Sequence, residues 1–209
     1  MRICGVWFFV LAIVYWPLVT AYGNGDGKFR NLYEKSVNAL GLLTANNCYN
    51  KDMRIIGIDP GTGILGFGVI DFSRGKFKMV TAGVVTTPAH TPIDERLEDI
   101  FDSLTEIIAE TNPDVMSIEK LFFARNVTTA ISVAEARGVA MLTGRKAGMP
   151  IAEYTPLQIK QTLTGYGKAD KKQVQEMVRL NLGLKDVPKP DDCADALAAA
   201  ITHAAMNRV

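Results

Sequence analysis

Four carboxylates carry the chemistry that this sequence suggests. Asp59 follows the apolar run Ile55-Ile56-Gly57-Ile58 and is turned sharply by Pro60-Gly61-Thr62-Gly63. Glu119 closes a second strand-like segment, Asp114-Val115-Met116-Ser117-Ile118. Asp192 and Asp195 stand three apart at the start of a small-residue helical stretch, where that spacing puts them on one face and the helix dipole favours negative charge. Acids at the ends of two strands can project from the same end of a sheet, the usual place for a site in an open α/β architecture. Such a set, with no histidine or cysteine partner, is an all-oxygen site suited to magnesium or manganese. A pair of those ions activates water and steadies a leaving oxygen in phosphodiester cleavage. Each acid also has a simpler role: Asp59 as a turn cap, Glu119 as a solvated strand end, Asp192 and Asp195 as dipole partners, with Asp191 as the N-cap of the last helix. The agreement of all four positions favours the site.

Other chemistries fit less well. Three cysteines and two histidines cannot build a disulfide framework or a four-ligand zinc site. His203 lies eight residues past Asp195, roughly 12 Å along a helix, too far to join the same metal shell. Cys193 at a helix start reads as a packed structural thiol. Gly61-Thr62-Gly63-Ile64-Leu65-Gly66 matches GxGxxG but leads into the strand-like Phe67-Gly68-Val69-Ile70 rather than a helix. Asp59 would also face a bound pyrophosphate with like charge. A phosphate-binding turn of the actin and sugar-kinase type needs a second homologous domain for which the chain lacks length.

The elements that must position the acids can be read from periodicity. Strands are expected at Arg54 to Ile58, Ile64 to Phe72 and Phe77 to Val85, joined by turns at Pro60-Gly61 and Ser73-Arg74-Gly75. Ile93, Leu97, Ile100, Phe101, Leu104, Ile107 and Ile108 keep to one face of a helix, with Thr91 as its cap and Pro92 at its first position. A strand at Asp114 to Glu119 follows, then a small-residue helix from Val127 to Arg145 and a strand at Pro150 to Tyr154. Helices near Pro156 to Leu163, Asp170 to Leu182 and Asp191 to Ala205 complete the chain. The order βββαβαβααα predicts an α/β fold in which a mixed five-stranded sheet is flanked by helices.

Composition bounds the partners. With 48% hydrophobic and 22% charged residues the chain is an ordinary globular one, and its formal charge of +1 conceals unequal blocks. Residues 53–119 hold five basic and eleven acidic side chains, whereas residues 120–172 hold nine and three. An acid-rich part beside a basic one suits a metal-dependent enzyme acting on a polyanion. Residues 1–52 differ in texture. An uncharged stretch from Ile3 to Gly25 contains an apolar run of about 16 residues, shorter than the roughly 20 that span a membrane, and a linker-like segment follows. Among an export signal, a membrane anchor and translated sequence upstream of the true start, the last is preferred. The folded enzyme is then 53–209.

The motifs Gly57-Ile58-Asp59-Pro60-Gly61, Ile118-Glu119 with Phe122 and Asn126, and Asp192-Cys193-Ala194-Asp195-Ala196-Leu197 ending in Ile201-Thr202-His203 resemble the RuvC family of bacterial Holliday-junction resolvases. The resemblance runs from Met53 to the C terminus and leaves residues 1–52 without a counterpart. It implies an RNase H-like fold, a homodimer, two Mg2+ ions per subunit for which Mn2+ substitutes, and paired nicks in four-way junction DNA leaving 5′-phosphates and 3′-hydroxyls. It further implies that Asp59, Glu119, Asp192 and Asp195 are metal-binding catalytic acids and that Phe122 stacks on an unpaired base near the crossover. Lys160 and Lys171 become backbone contacts, with Lys171 at the scissile phosphate, and Lys168 or Lys172 share that role. Gly165-Tyr166-Gly167-Lys168 becomes a mobile basic loop over DNA. The RuvA–RuvB branch-migration complex is the implied partner and the cytoplasm the implied location. A non-catalytic nucleic-acid-binding member of the same fold is the alternative, against which the four intact acids stand.

Overall fold

The structure is a computed structural model that describes residues 52–121 and 127–207. The expectations for residues 1–51, and for Phe122 and Asn126, lie outside the described residues.

Three strands open the fold: β1 (Met53–Asp59), β2 (Ile64–Ser73) and β3 (Lys76–Thr86). Helix α1 (Ile93–Thr111) leads to β4 (Val115–Glu119), and α2 (Val127–Lys146) to β5 (Ile151–Tyr154). Helices α3 (Pro156–Thr164), α4 (Lys171–Leu182) and α5 (Asp191–Met206) follow. The sheet order is β3-β2-β1-β4-β5. The β1–β2 and β2–β3 pairs are antiparallel, whereas β1–β4 and β4–β5 are parallel, so the sheet is mixed and five-stranded as expected.

Two start signals differ from the sequence reading. Pro92 rather than Thr91 is the cap of α1 and gives it no side-chain hydrogen bond, because proline's fixed φ is as compatible with the extended cap as with the first turn. Asp191 is the first residue of α5, not its N-cap; Pro190 holds that position, and the Asp191 carboxylate is engaged elsewhere. The ends of α3 and α4 follow the local chemistry. Thr155 and Gln158 form a capping box on α3, Asp170 and Gln173 another on α4, and Gly165 and Gly183 terminate these helices at positive φ.

Strand alternation divides the core into two layers. Ile56, Ile58, Leu65, Val69, Met116 and Ile118 face α1 and α2. Ile55, Ile70 and Val115 face the opposite layer, which α3, α4 and α5 cover. Odd positions of β1 and β4 therefore look toward α5. Ser117, fully buried, donates its hydroxyl to the Ala199 carbonyl of α5 at 2.7 Å. Gly57 and Gly66 let α5 approach closely: a Cβ on Gly57 would lie 2.0 Å from the Ala196 carbonyl oxygen, and one on Gly66 2.1 Å from that of Asp192. The glycines thus set the height of the N-terminal turn of α5 over the sheet.

Candidate metal centre and phosphate-binding cleft

Asp59 and Glu119 are the terminal residues of neighbouring parallel strands, paired in register through Ile58 and Ile118. Both occupy odd positions, so the two-residue period sends their side chains to the face covered by α5. That helix starts over Gly66, the β2 partner of Asp59, and brings Asp192 and Asp195 to the same end of the sheet. Two strand ends and a helix start thereby gather the four acids predicted from sequence.

Their electrostatics record this crowding. Burial pushes the Asp59 carboxyl up to about 7, aided by the charges of Asp195, Glu119 and Asp192 and opposed by Lys171. Burial likewise raises Glu119 to about 7, with Asp195 adding to the shift and Lys160 opposing it. The Asp195 carboxyl is raised by burial, although Lys171 pulls the other way. Lys171, the first residue of α4, answers part of the charge: its Nζ lies 3.1 Å from Asp195 Oδ2 and 3.3 Å from Asp191 Oδ2. Partial burial lowers the Lys171 ammonium, but these two carboxylates outweigh it and hold the group above its ordinary value.

A cleft of about 220 Å3 opens beside the acids, walled by Glu119, Asp195, Lys160 and Lys171 over an apolar floor of Ile159, Val174 and Ala198. Lys160 and Lys171 are thus brought to the carboxylates. Lys168 and Lys172 are exposed and do not line this cleft; Lys172 borders a separate groove beside Tyr166 and Asp170. Two hydrogen bonds bracket the Gly165–Lys168 segment. Thr164 Oγ1 accepts from the Tyr166 N–H at 3.1 Å, and the Ala169 N–H donates to the Tyr166 carbonyl at 3.1 Å.

The donor set suits a hard cation. It offers only carboxylate oxygens, and burial together with neighbouring carboxylates keeps two of these acids from ionising readily, a cost that a divalent ion would offset. Among the described residues no three such side chains already converge on a single point. Lys171 pairs with Asp195 on the side of the set that lines the cleft.

Two contributors were invisible in the sequence. Arg137 of α2 donates Nε–H to the Glu119 carbonyl at 3.1 Å and pairs with Glu153, anchoring the end of β4. Asp191, read only as a cap, holds Lys171. Both contacts join residues from different elements, and no local pattern announces them. The buried Tyr154 hydroxyl and His203 Nδ1 lie 2.9 Å apart on the far part of α5, in keeping with the exclusion of His203 from the acid cluster.

Known proteins resemble this chain in sequence and in fold. The family model for crossover junction endodeoxyribonuclease RuvC matches residues 55–203. The RuvC of Chloroflexus aurantiacus is 52% identical over 152 residues, covering 73% of this chain and 93% of that relative. The RuvC of Brevibacillus brevis is 55% identical over 152 residues, covering 73% and 92%. Among solved structures, Thermus thermophilus RuvC in complex with Holliday junction substrate is 39% identical with a TM-score of 0.71, covering 75% of this chain and 95% of that one.

Proposed function

The chain belongs to the RuvC family of crossover junction endodeoxyribonucleases, and from that membership we propose how its residues divide the work of cutting a four-way junction. The fold is RNase H-like, and the activity is divalent-metal-dependent hydrolysis of phosphodiester bonds that resolves Holliday junctions in recombination and repair. Asp59, Glu119, Asp192 and Asp195 hold the cation, which we take to be Mg2+, two per subunit, with Mn2+ able to replace it. When bound, the metal lowers the pKa of water and neutralises charge on the phosphate oxygens.

Lys171 supplies a fixed positive charge at the cleft mouth, where it meets the scissile phosphate as negative charge builds on it. Asp191 and Asp195 hold that ammonium in place. Lys160, across the cleft, offsets the Glu119 carboxylate and contacts the DNA backbone. Lys168 and Lys172 lie outside the cleft and contact phosphates of an arm rather than the bond being cut. Phe122 stacks on a base exposed at the crossover. The single observation that carries this division is the meeting of Asp59, Glu119 and the start of α5 beside a lysine-walled cleft.

A second copy of the chain completes the enzyme. Ile131, Ala134, Gly138 and Leu142 form an exposed stripe along α2, with Ile131 59% and Leu142 56% accessible. The spacing keeps these residues on one helix face, and their small and apolar types suit packing against another helix. Two such sites, related by symmetry, make paired nicks. We further infer delivery of the junction by the RuvA–RuvB branch-migration complex, action in the cytoplasm, and an enzyme comprising residues 53–209 with residues 1–52 as an extension. Among the described residues no helix is long and apolar enough to cross a membrane.

The test is cleavage of a synthetic four-way junction with each strand end-labelled in turn, beside linear duplex, in magnesium. Paired cuts across the junction, ligatable through 5′-phosphates and 3′-hydroxyls, with duplex left intact, support the reading. Equal cutting of duplex overturns it.

A further inference from the structure

The turn that follows Asp59 is held by a hydrogen-bond clamp whose parts come from the end of β3 and the first turn of α1. Thr87, 4% exposed, is its hub. Its N–H donates to the Gly63 carbonyl at 3.1 Å, and its hydroxyl donates to the Thr62 carbonyl at 2.6 Å. Arg96 donates Nε–H to the same hydroxyl at 2.8 Å. The guanidinium also covers the turn, since a Cβ on Gly63 would lie 3.4 Å from Arg96 Nη2. The hydroxyl of Thr87 has one proton, which it gives to Thr62, and Arg96 fixes its orientation by filling a lone pair. Thr62 adds no side-chain tie of its own, because its buried hydroxyl has no hydrogen-bond partner. The Gly61-Thr62-Gly63 part of the nucleotide-like motif is therefore a clamped turn.

Two uses of Arg96 compete, a phosphate contact and a support. Helix α1 carries seven acidic residues and Arg96 as its lone base, and all seven acids are exposed. Such a face repels DNA, so support is the better reading.

We propose that Arg96 and Thr87 are positioning residues for cleavage: they clamp the Pro60–Gly63 turn and thereby hold the Asp59 carboxylate on the face shared with Glu119 and Asp195. The proposal rests on Asp59 acting in the metal site. Neither residue is hydrogen-bonded to an acid; both act through the Thr62 and Gly63 carbonyls downstream of Asp59. β1 ends at Asp59, which pairs with Gly66, and β2 resumes at Ile64, so the turn sets the path of the chain between the carboxylate and its partner strand.

The experiment compares Thr87→Val, Thr87→Ser, Arg96→Met and the Thr87→Val/Arg96→Met pair, with Asp59→Asn as control. Single-turnover cleavage in magnesium is set beside junction affinity in calcium, melting temperature and hydrogen exchange of the 60–66 segment. Misplacing a reacting group by about 1 Å can cost about 100-fold, so a partial shift should slow Thr87→Val and Arg96→Met cleavage about tenfold. Junction affinity should stay within about twofold because phosphate contacts are untouched. Exchange at 60–66 should quicken, Thr87→Ser should restore the rate, and the double variant should cut no slower than the slower single one, as expected of one linked unit. Should Thr87→Val not fold, the half-exposed Arg96→Met carries the same rate and exchange test. Wild-type cleavage in folded Thr87→Val or Arg96→Met, or additive losses in the pair, overturns the clamp. Wild-type cleavage by Asp59→Asn overturns the site assignment beneath it, a result distinct from an inactive Asp59→Asn beside an unaffected Thr87→Val.

Discussion

At the scale of single residues, charge rather than shape governs the site. Asp59 and Glu119 are both raised to about 7, above the roughly 4 of free carboxylates. A raised carboxyl binds its proton more tightly in the folded chain. Its contribution to stability is thus complete below about pH 4 and is lost as pH climbs through about 7. Without divalent ions, the difference in melting temperature between wild type and Asp59→Asn should therefore move in favour of the variant as pH rises from about 5 to about 8. Magnesium should raise the wild-type melting temperature more at the higher pH, where the acids are ionised and free to bind it. A wild-type curve parallel to that of Asp59→Asn would contradict this. Lys171 is tested by rate. Lys171→Ala should lower single-turnover cleavage by about 100-fold, the usual cost of removing a group that meets developing charge. The salt dependence of junction binding should weaken by only about one phosphate contact. The four acids could be read as candidates because strand ends and helix starts leave a signature in sequence, whereas Lys171 entered only through the family resemblance. The ties of Arg137 to Glu119 and of Asp191 to Lys171 were not, since each depends on two elements meeting in space.

At the scale of elements, β1, β4 and α5 form the site and the glycines of β1 and β2 set their spacing. Gly66→Ala places a methyl 2.1 Å from the Asp192 carbonyl oxygen, a backbone atom that cannot turn aside. Overpacking of this kind costs about 1–3 kcal/mol, and the displaced helix start carries two of the acids with it. Gly66→Ala should both melt earlier and bind magnesium more weakly, as read by calorimetry and titration. A variant that loses stability but keeps wild-type magnesium affinity would show that α5 height does not matter to the site. The element order and the mixed sheet were readable because period-two and period-3.6 patterns are strong in this chain. The caps of α1 and α5 were not, because Pro92 and Pro190 suit both the cap and the first turn, and a threonine or aspartate beside each drew the cap reading by one position. The Gly57 and Gly66 contacts were equally hidden, since a glycine needed for close approach looks like one needed for a turn.

At the scale of the whole molecule, the proposal requires two sites on one junction. Leu142→Glu, and Ile131→Glu with it, should convert the protein from dimer to monomer in light scattering without lowering the melting temperature of the monomer, since both side chains are exposed. Such a monomer should nick single strands but lose simultaneous paired cuts. An unchanged dimer would move the interface away from α2. The sequence could point to a helix with apolar residues on every side, but which face is left uncovered depends on how α1 and the sheet cover the others. The central claim is that the four gathered acids turn a junction-binding protein into a hydrolase. It is tested most directly by Asp59→Asn, with nicking of a labelled junction followed in magnesium and junction affinity measured in calcium, folding being checked by circular dichroism. An amide is nearly isosteric but a poorer ligand for a hard cation, and it removes one negative charge facing the DNA. The account predicts a folded protein that binds the junction as tightly as wild type or tighter and does not nick it. Nicking by folded Asp59→Asn at near the wild-type rate would contradict it.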